Sequence, residues 1–155
     1  MRYTGTCRTW FASPLLLVAE VCERLEEYSD VLLYVTKVLS YEPSESDNRE
    51  RADDMRPTTH GRANALHGRA LAALGRMEEA EAAFEAAVAV SHRHGLWLLE
   101  MQALGDLKLH VLDKDRRGDE GTRRLKAVLQ RMKGPAAELT KLLGEGLDAE
   151  EILRS

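Results

Sequence analysis

The sequence predicts an all-helical fold. The chain has 155 residues and contains 24 Leu and 19 Ala, against 18 residues of Val, Ile, Phe, Tyr and Trp together. Leu and Ala lose little conformational freedom in a helix, whereas strands favour β-branched and aromatic side chains. Apolar residues also recur at spacings of three and four, and glycine or proline separates the resulting segments. The length is typical of one domain with a continuous core.

Two helices are predicted in the N-terminal part of the chain. Residues 1–13 have no apolar periodicity and are expected to form a tail. The pair Ser13 and Pro14 is typical of a helix start, because Ser caps free amides and Pro supplies a helical φ. The second helix is predicted over residues 28–41, although its valines leave a strand as the alternative. The faces expected to be buried carry Leu15, Val18, Ala19, Cys22 and Leu25 in the first helix and Val31, Val35, Val38 and Leu39 in the second.

The middle of the chain predicts an exposed loop followed by two helices. Residues 44–58 have almost no apolar side chains, so they have little to bury against the entropy of ordering. Thr58 or Thr59 is expected to cap a third helix that Gly75 ends. A fourth helix is predicted over residues 77–94. Its inward face is expected to carry Ala80, Phe84, Ala87 and Val88.

The C-terminal part predicts four further segments. Residues 96–112 are apolar on more than one side, so this helix is expected to lie between neighbours. Residues 113–121 form a charged connector, and a helix after them places Leu125, Val128, Leu129 and Met132 on one face. Two short helices, over residues 135–143 and 149–154, are expected to cap the end of the domain.

One stretch resembles the tetratricopeptide repeat. Residues 61–94 have the length of that repeat, and small, turn and aromatic residues fall at matching places: Gly68, Gly75, Ala80, Phe84 and Ala87. In that family small residues lie where the two helices of a hairpin cross, glycine makes the turn, and an aromatic side chain fills the gap. The sequence departs from the family at Asn64, where an aromatic residue is typical, and at His92, where proline is typical.

The segments on either side are similar to degenerate units of the same kind, at residues 12–45 and 95–132. The resemblance therefore implies an α-solenoid of about three antiparallel helical hairpins over residues 14–155. A single hairpin cannot bury its apolar face alone, and about three stacked units are needed for stability.

The resemblance also implies a non-catalytic protein-interaction module that binds a peptide or partner helix in a concave groove. The contact candidates are Arg62, Arg69, Asp106 and His110. Arg62 and Arg69 lie two turns apart and would hold an acidic peptide or a terminal carboxylate through forked hydrogen bonds. The alternative is that both arginines pair with glutamates on a neighbouring helix. Reversing both to Glu is expected to weaken partner capture without unfolding the protein.

Two other functions stay open. The chain could be a helical segment of a larger regulator whose basic face, residues 114–133, contacts nucleic acid. That face has no interleaved aromatic residue for base stacking, so a solvated helix face is the better interpretation. The third hypothesis is an enzyme in which His92 or His110 approaches a carboxylate in a closed pocket.

Composition argues against several other classes. The net charge is −4, so no overall basic field attracts nucleic acid. No apolar run has the roughly 20 residues that a membrane span needs. Cys7 and Cys22 suit a reducing intracellular compartment. His92 and His94 would point about 200° apart on a helix, so neither a metal nor another cofactor is expected. The end helices could pair with a second copy of the chain.

Overall fold

The all-helical prediction is confirmed. The computed structural model describes residues 6–40 and 56–132, and over this part of the chain there are six helices and no strand. The helices are α1 (Thr6–Arg24), α2 (Tyr28–Leu39), α3 (Arg56–Ala73), α4 (Met77–Arg93), α5 (Trp97–Leu107) and α6 (Gly118–Arg131). A π-helical turn, Lys108–Leu112, continues α5 directly. The two short helices predicted near the C-terminus lie outside the described residues.

The first helix begins earlier than predicted. It starts at Thr6, so residues 6–13 are not a tail, and Pro14 lies inside the helix. A Ser-Pro pair suits a helix start, but proline is also tolerated within a helix at the cost of one backbone hydrogen bond. The sequence signal at Ser13 therefore did not distinguish these two positions.

Two other helix starts also differ from the prediction. Helix α3 begins at Arg56, so residues 56–58 of the predicted loop belong to the helix. Residues 44–55 of that loop lie outside the described residues. Pro57 fits the first helical turn, because the amide that proline lacks would have no partner there. Helix α6 begins at Gly118, inside the predicted charged connector.

Four connections share one type of turn at the end of a helix. Each contains a residue with positive φ: Glu26 (60°), Gly75 (80°), Gly95 (67°) and Arg116 (59°). At the second turn, the Arg76 amide donates to the Leu71 carbonyl at 2.9 Å, and the equivalent bond recurs in the other three turns. These bonds satisfy carbonyls that the end of a helix leaves free. Gly75 and Gly95 end their helices as predicted.

Helices α3 and α4 form an antiparallel pair held closely together. A Cβ atom built on Gly68 would lie 2.7 Å from ring atoms of Phe84, and one built on Gly61 would lie 3.2 Å from the Ser91 hydroxyl oxygen. These contacts pair early residues of α3 with late residues of α4, on either side of the Gly75 turn. Phe84 is fully buried. Glycine at the crossing therefore gives the phenylalanine ring its space.

Packing follows the order of the helices along the chain. Each helix contacts the next, and α3 also contacts both α1 and α5. Most of the predicted inward residues of α2 and α4 are buried: Val31, Val35, Val38, Ala80, Phe84, Ala87 and Val88. Leu39 is partly buried against the same core as the valines. Helix α5 lies between neighbours as expected, with Ala103, Leu104 and Leu107 buried.

The buried face of α1 was predicted correctly in part. Ala19 is buried, and Leu15 and Cys22 are partly buried against the same core, as predicted. Val18 and Leu25 are 42% and 67% exposed, and Leu16, which was not predicted, is buried. Helix α1 carries apolar residues on two faces, so periodicity does not decide which one packs on α2 and α3.

Candidate functional site

A cleft of about 420 Å³ opens where α1, α3 and the α5 segment meet. Its wall includes Glu20 from α1, Arg62, Ala65 and Arg69 from α3, Asp106 from α5, and Leu109 from the π-helical turn. The three helices that supply these residues alternate along the chain with α2 and α4, which contribute no residue to the wall. The cleft therefore depends on the packing of helices that are not consecutive in the sequence.

Helix geometry explains why arginine side chains reach this cleft. Arg62 and Arg69 are seven residues apart, about two turns, so they lie on one face of α3. Each follows a glycine, Gly61 or Gly68, that packs against α4. Successive residues are about 100° apart around a helix, so a glycine that faces α4 directs the next side chain toward α1 and α5.

Arg69 connects all three helices of the cleft. Its Nε and Nη2 donate to the two carboxylate oxygens of Glu23 on α1, at 2.7 and 3.2 Å. Its Nη1 donates to Oδ2 of Asp106 on α5 at 2.9 Å. The side chains of Arg69, Glu23 and Asp106 are 29%, 26% and 25% exposed, so this network is partly shielded from water. A forked guanidinium suits such bidentate pairing.

The pKa of Arg69 reflects both its burial and its partners. Burial by itself would lower the pKa of the guanidinium, but the hydrogen bonds and negative charges of Glu23 and Asp106 outweigh that effect. The net result is a pKa above the ordinary value for arginine. Arg69 therefore keeps its positive charge, and this charge is neutralised locally by two carboxylates.

Arg62 makes a simpler and more exposed contact. It donates to Oε1 of Glu20 on α1, and its own side chain is 48% exposed. Both arginines thus pair with carboxylates on neighbouring helices, which is the second of the two interpretations that the sequence allowed.

The structure brings together three of the four predicted contact residues. Arg62, Arg69 and Asp106 line the cleft, whereas His110 does not. The His110 ring is stacked on Phe84, with ring centroids 6.1 Å apart and an interplanar angle of 11°. The π-helical turn that contains His110 shifts the register of the helix, so regular helical spacing from Asp106 misplaced it. Leu109, 62% exposed, lies in the cleft wall and was not predicted.

The basic C-terminal segment makes ion pairs with other helices. Arg117 donates to Glu81 at 2.6 Å, Arg124 to Glu85 at 2.5 and 2.8 Å, and Arg131 to Glu100 at 2.7 Å. Arg124 and Arg131 are seven residues apart and therefore lie on one face of α6, and Arg117 immediately precedes the first turn of that helix. Three of the basic residues in the segment thus join α6 to α4 and α5.

His92 does approach a carboxylate, as the enzyme hypothesis required. Its Nδ1 lies 3.3 Å from Oε1 of Glu100, and Arg131 Nη1 lies 2.8 Å from the same ring nitrogen. Glu100 is buried and also bonded to Arg131. Neither His92 nor Glu100 lines the cleft. The contact fixes the relative position of α4, α5 and α6.

Within residues 6–40 and 56–132, no three or more His, Cys, Asp or Glu side chains are grouped so that they could hold a metal ion. Over the same part of the chain, every helix is too short or too polar to span a membrane. Comparison of the sequence and the structure with protein-family models, curated proteins and solved structures gave no match.

Proposed function

We propose that this protein is a non-catalytic interaction module that binds a peptide or a partner helix in the cleft between α1, α3 and α5. The six helices are best interpreted as three stacked hairpins similar to tetratricopeptide repeats. The observation that carries this proposal is the cleft itself, because side chains from three successive pairs meet there. The Gly68 and Phe84 contact and the shared turn geometry support the repeat interpretation.

The ion pairs give the cleft a fixed shape before any partner arrives. Arg69 joins α1 to α5 across α3, and Arg62 joins α3 to α1. A binding surface that is already ordered loses less conformational entropy when it captures a partner. The exposed Leu109 side chain adds an apolar contact on the same wall. Apolar side chains together with a few convergent polar groups in a preformed concavity are features of binding sites.

Leu109 offers a direct test of this proposal. Leu109→Lys places a charge in the cleft at a side chain that is 62% exposed, so the fold should tolerate the change. Leu98→Lys is the matched control, because Leu98 is 60% exposed on α5 and does not line the cleft. We expect proteins captured from a cell extract by the wild type and by Leu98→Lys to be lost with Leu109→Lys, as measured by mass spectrometry. Identical capture by all three proteins would contradict the proposal.

Charge reversal of Arg62 and Arg69, which the sequence alone suggested as a test of partner binding, does not test it cleanly. Arg69→Glu would place a third carboxylate beside Glu23 and Asp106, in a partly buried network. Like charges at this distance repel, and the original partners would lose their hydrogen bonds. We therefore expect Arg69→Glu to destabilise the fold, so reduced capture by that variant would not identify a contact residue.

A further inference from the structure

The first helix carries an exposed apolar patch. Among the described residues, eight large apolar side chains are exposed, and four of them lie on α1. We refer to these four as the α1 patch: Leu17, Val18, Val21 and Leu25, which are 42–67% exposed. Helix α1 packs on α2 and α3 through other residues, including the buried Leu16 and Ala19. Exposed apolar side chains that form a continuous patch indicate an interaction surface.

The α1 patch is continuous along one side of the helix. Successive residues are about 100° apart around a helix, so the four side chains fall within an arc of about 100°. The charged residues between positions 14 and 25 are Glu20, Glu23 and Arg24, and all three lie outside this arc. Both glutamates pair with arginines of α3. No residue of the α1 patch lines the cleft, so the two surfaces are separate.

The last described helix has a different outer face. None of the exposed large apolar side chains lies on α6, and its exposed positions include Asp119, Arg123 and Gln130. An end helix of a helical stack normally presents such a polar face to water. Helix α6 of a second copy therefore offers no apolar surface to the α1 patch. Pairing of α1 with α6 would also produce an open chain of molecules, because the two surfaces differ.

A lipid surface does not suit the α1 patch either. Helices that lie on membranes carry lysine and arginine on the polar side, which attract anionic headgroups. The polar side of α1 carries Glu20 and Glu23 instead, and Glu26 and Glu27 follow the helix. Arg24 is the one basic residue between positions 14 and 27. The charges around the patch would therefore repel an anionic membrane.

The spacing within the α1 patch suits a second copy of the same patch. Leu17 and Leu25 each lie four residues from Val21. If two α1 helices cross in antiparallel orientation with Val21 on the two-fold axis, Leu17 of each copy meets Leu25 of the other. Ridges formed by residues four apart interlock in the commonest class of helix packing. The smaller valine at the axis lets the two helices approach closely.

We infer that the protein forms a two-fold symmetric dimer through the α1 patch. Both copies use the same surface, so association stops at two chains. The interface is small, and we expect a dissociation constant of about 10–100 µM. Because the α1 patch is separate from the cleft, this inference does not rest on the proposed function.

Sedimentation equilibrium of the full chain tests the inference. Between about 5 and 500 µM, we expect the average mass to rise from that of one chain toward that of two. Val21→Glu places two carboxylates beside each other at the axis, so it should weaken association at least about 100-fold. Leu98→Glu is the matched control, because Leu98 is 60% exposed on α5 and lies outside the α1 patch. It should leave the dissociation constant unchanged.

A cysteine cross-link tests the geometry of the pair. In a chain with Cys7→Ser and Cys22→Ser, Val21→Cys should form a disulfide between two chains when copper phenanthroline oxidises the thiols. The two-fold axis brings position 21 of both copies within the short distance that a disulfide requires. Leu98→Cys in the same background should give mainly single chains on a non-reducing gel. Circular dichroism shows whether each variant is folded.

Three results would overturn the inference. The first is a wild-type chain that remains a single chain at about 500 µM. The second is an equal effect of Val21→Glu and Leu98→Glu on association. The third is equal cross-linking through positions 21 and 98. Because the first measurement uses the wild-type protein, it is decisive even if a variant does not fold.

Discussion

At the residue scale, two of the four shared turns carry side chains in a conformation that suits glycine. Glu26 and Arg116 have φ values of 60° and 59°, and residues with a Cβ atom are strained there. We expect Glu26→Gly and Arg116→Gly each to raise the free energy of unfolding by about 0.5–1 kcal/mol. Gly75→Ala should lower it by about 1 kcal/mol, although a Cβ atom would meet no neighbour there. Urea denaturation measures the free energy of unfolding of each of the three variants. A loss of stability in both Glu26→Gly and Arg116→Gly would refute this account of the turns.

The crossing of α3 and α4 gives a second prediction at the same scale. Gly68→Ala places a methyl group 2.7 Å from the Phe84 ring, so the helices must separate or the ring must move. We expect a loss of about 1–3 kcal/mol in the free energy of unfolding. Gly105→Ala is the control, since it adds the same methyl group to a helix where nothing lies within 4 Å. It should increase stability by about 0.5–1 kcal/mol. Equal effects of the two changes would show that steric contact with Phe84 is unimportant.

At the element scale, α6 is held to its neighbours by arginines as well as by apolar contacts. Arg131 is the partner of Glu100, whose side chain is only 8% exposed. We expect Arg131→Met to lower the free energy of unfolding by about 1–3 kcal/mol, because a buried carboxylate would lose its main donor. Arg123→Met on the exposed side of α6 is the matched control and should change stability by less than about 0.5 kcal/mol.

A double variant determines whether the lower stability of Arg131→Met comes from the unpaired carboxylate of Glu100. Glu100→Leu combined with Arg131→Met removes both members of the pair, so the double variant should be more stable than Arg131→Met alone. Chemical denaturation of the wild type, Glu100→Leu, Arg131→Met and the double variant provides a double-mutant cycle. Strictly additive losses would indicate that Arg131 and Glu100 do not stabilise each other.

At the scale of the whole molecule, stability should depend on pH through a half-buried histidine. Burial lowers the pKa of His67 below 6.5, the positive charge of Arg76 lowers it further, and Glu79 partly opposes both effects. Between the folded pKa and about 6.5, the unfolded chain binds more protons than the folded protein, so stability decreases as the pH falls through this window. We expect His67→Gln to weaken this dependence in urea denaturation between pH 7 and pH 5. An unchanged pH profile would rule out His67 as its source.

The carboxylate of Glu85 affects the stability of the fold at lower pH than His67 does. The hydrogen bond from Arg124 lowers the pKa of Glu85, and this effect exceeds the opposing effect of burial. A carboxylate with a depressed pKa stabilises the folded protein above about 4.5, and this contribution is lost as the pH falls through the folded value. The loss of stability below pH 4.5 therefore has a different origin from the loss that His67 causes below pH 6.5.

The sequence by itself determined that the described part of the chain is helical and that Gly75 and Gly95 end helices. Local periodicity and turn glycines depend on residues near one another in the chain, so their effect can be inferred without the fold. The contact of Gly68 with Phe84 was expected from the resemblance to a known repeat. Only the tertiary structure decided that Val18 of α1 is exposed and Leu16 buried, that Glu23 and Asp106 share Arg69, and that His110 packs on Phe84. These features join residues on different helices, and the stacking of those helices fixes the distances between them.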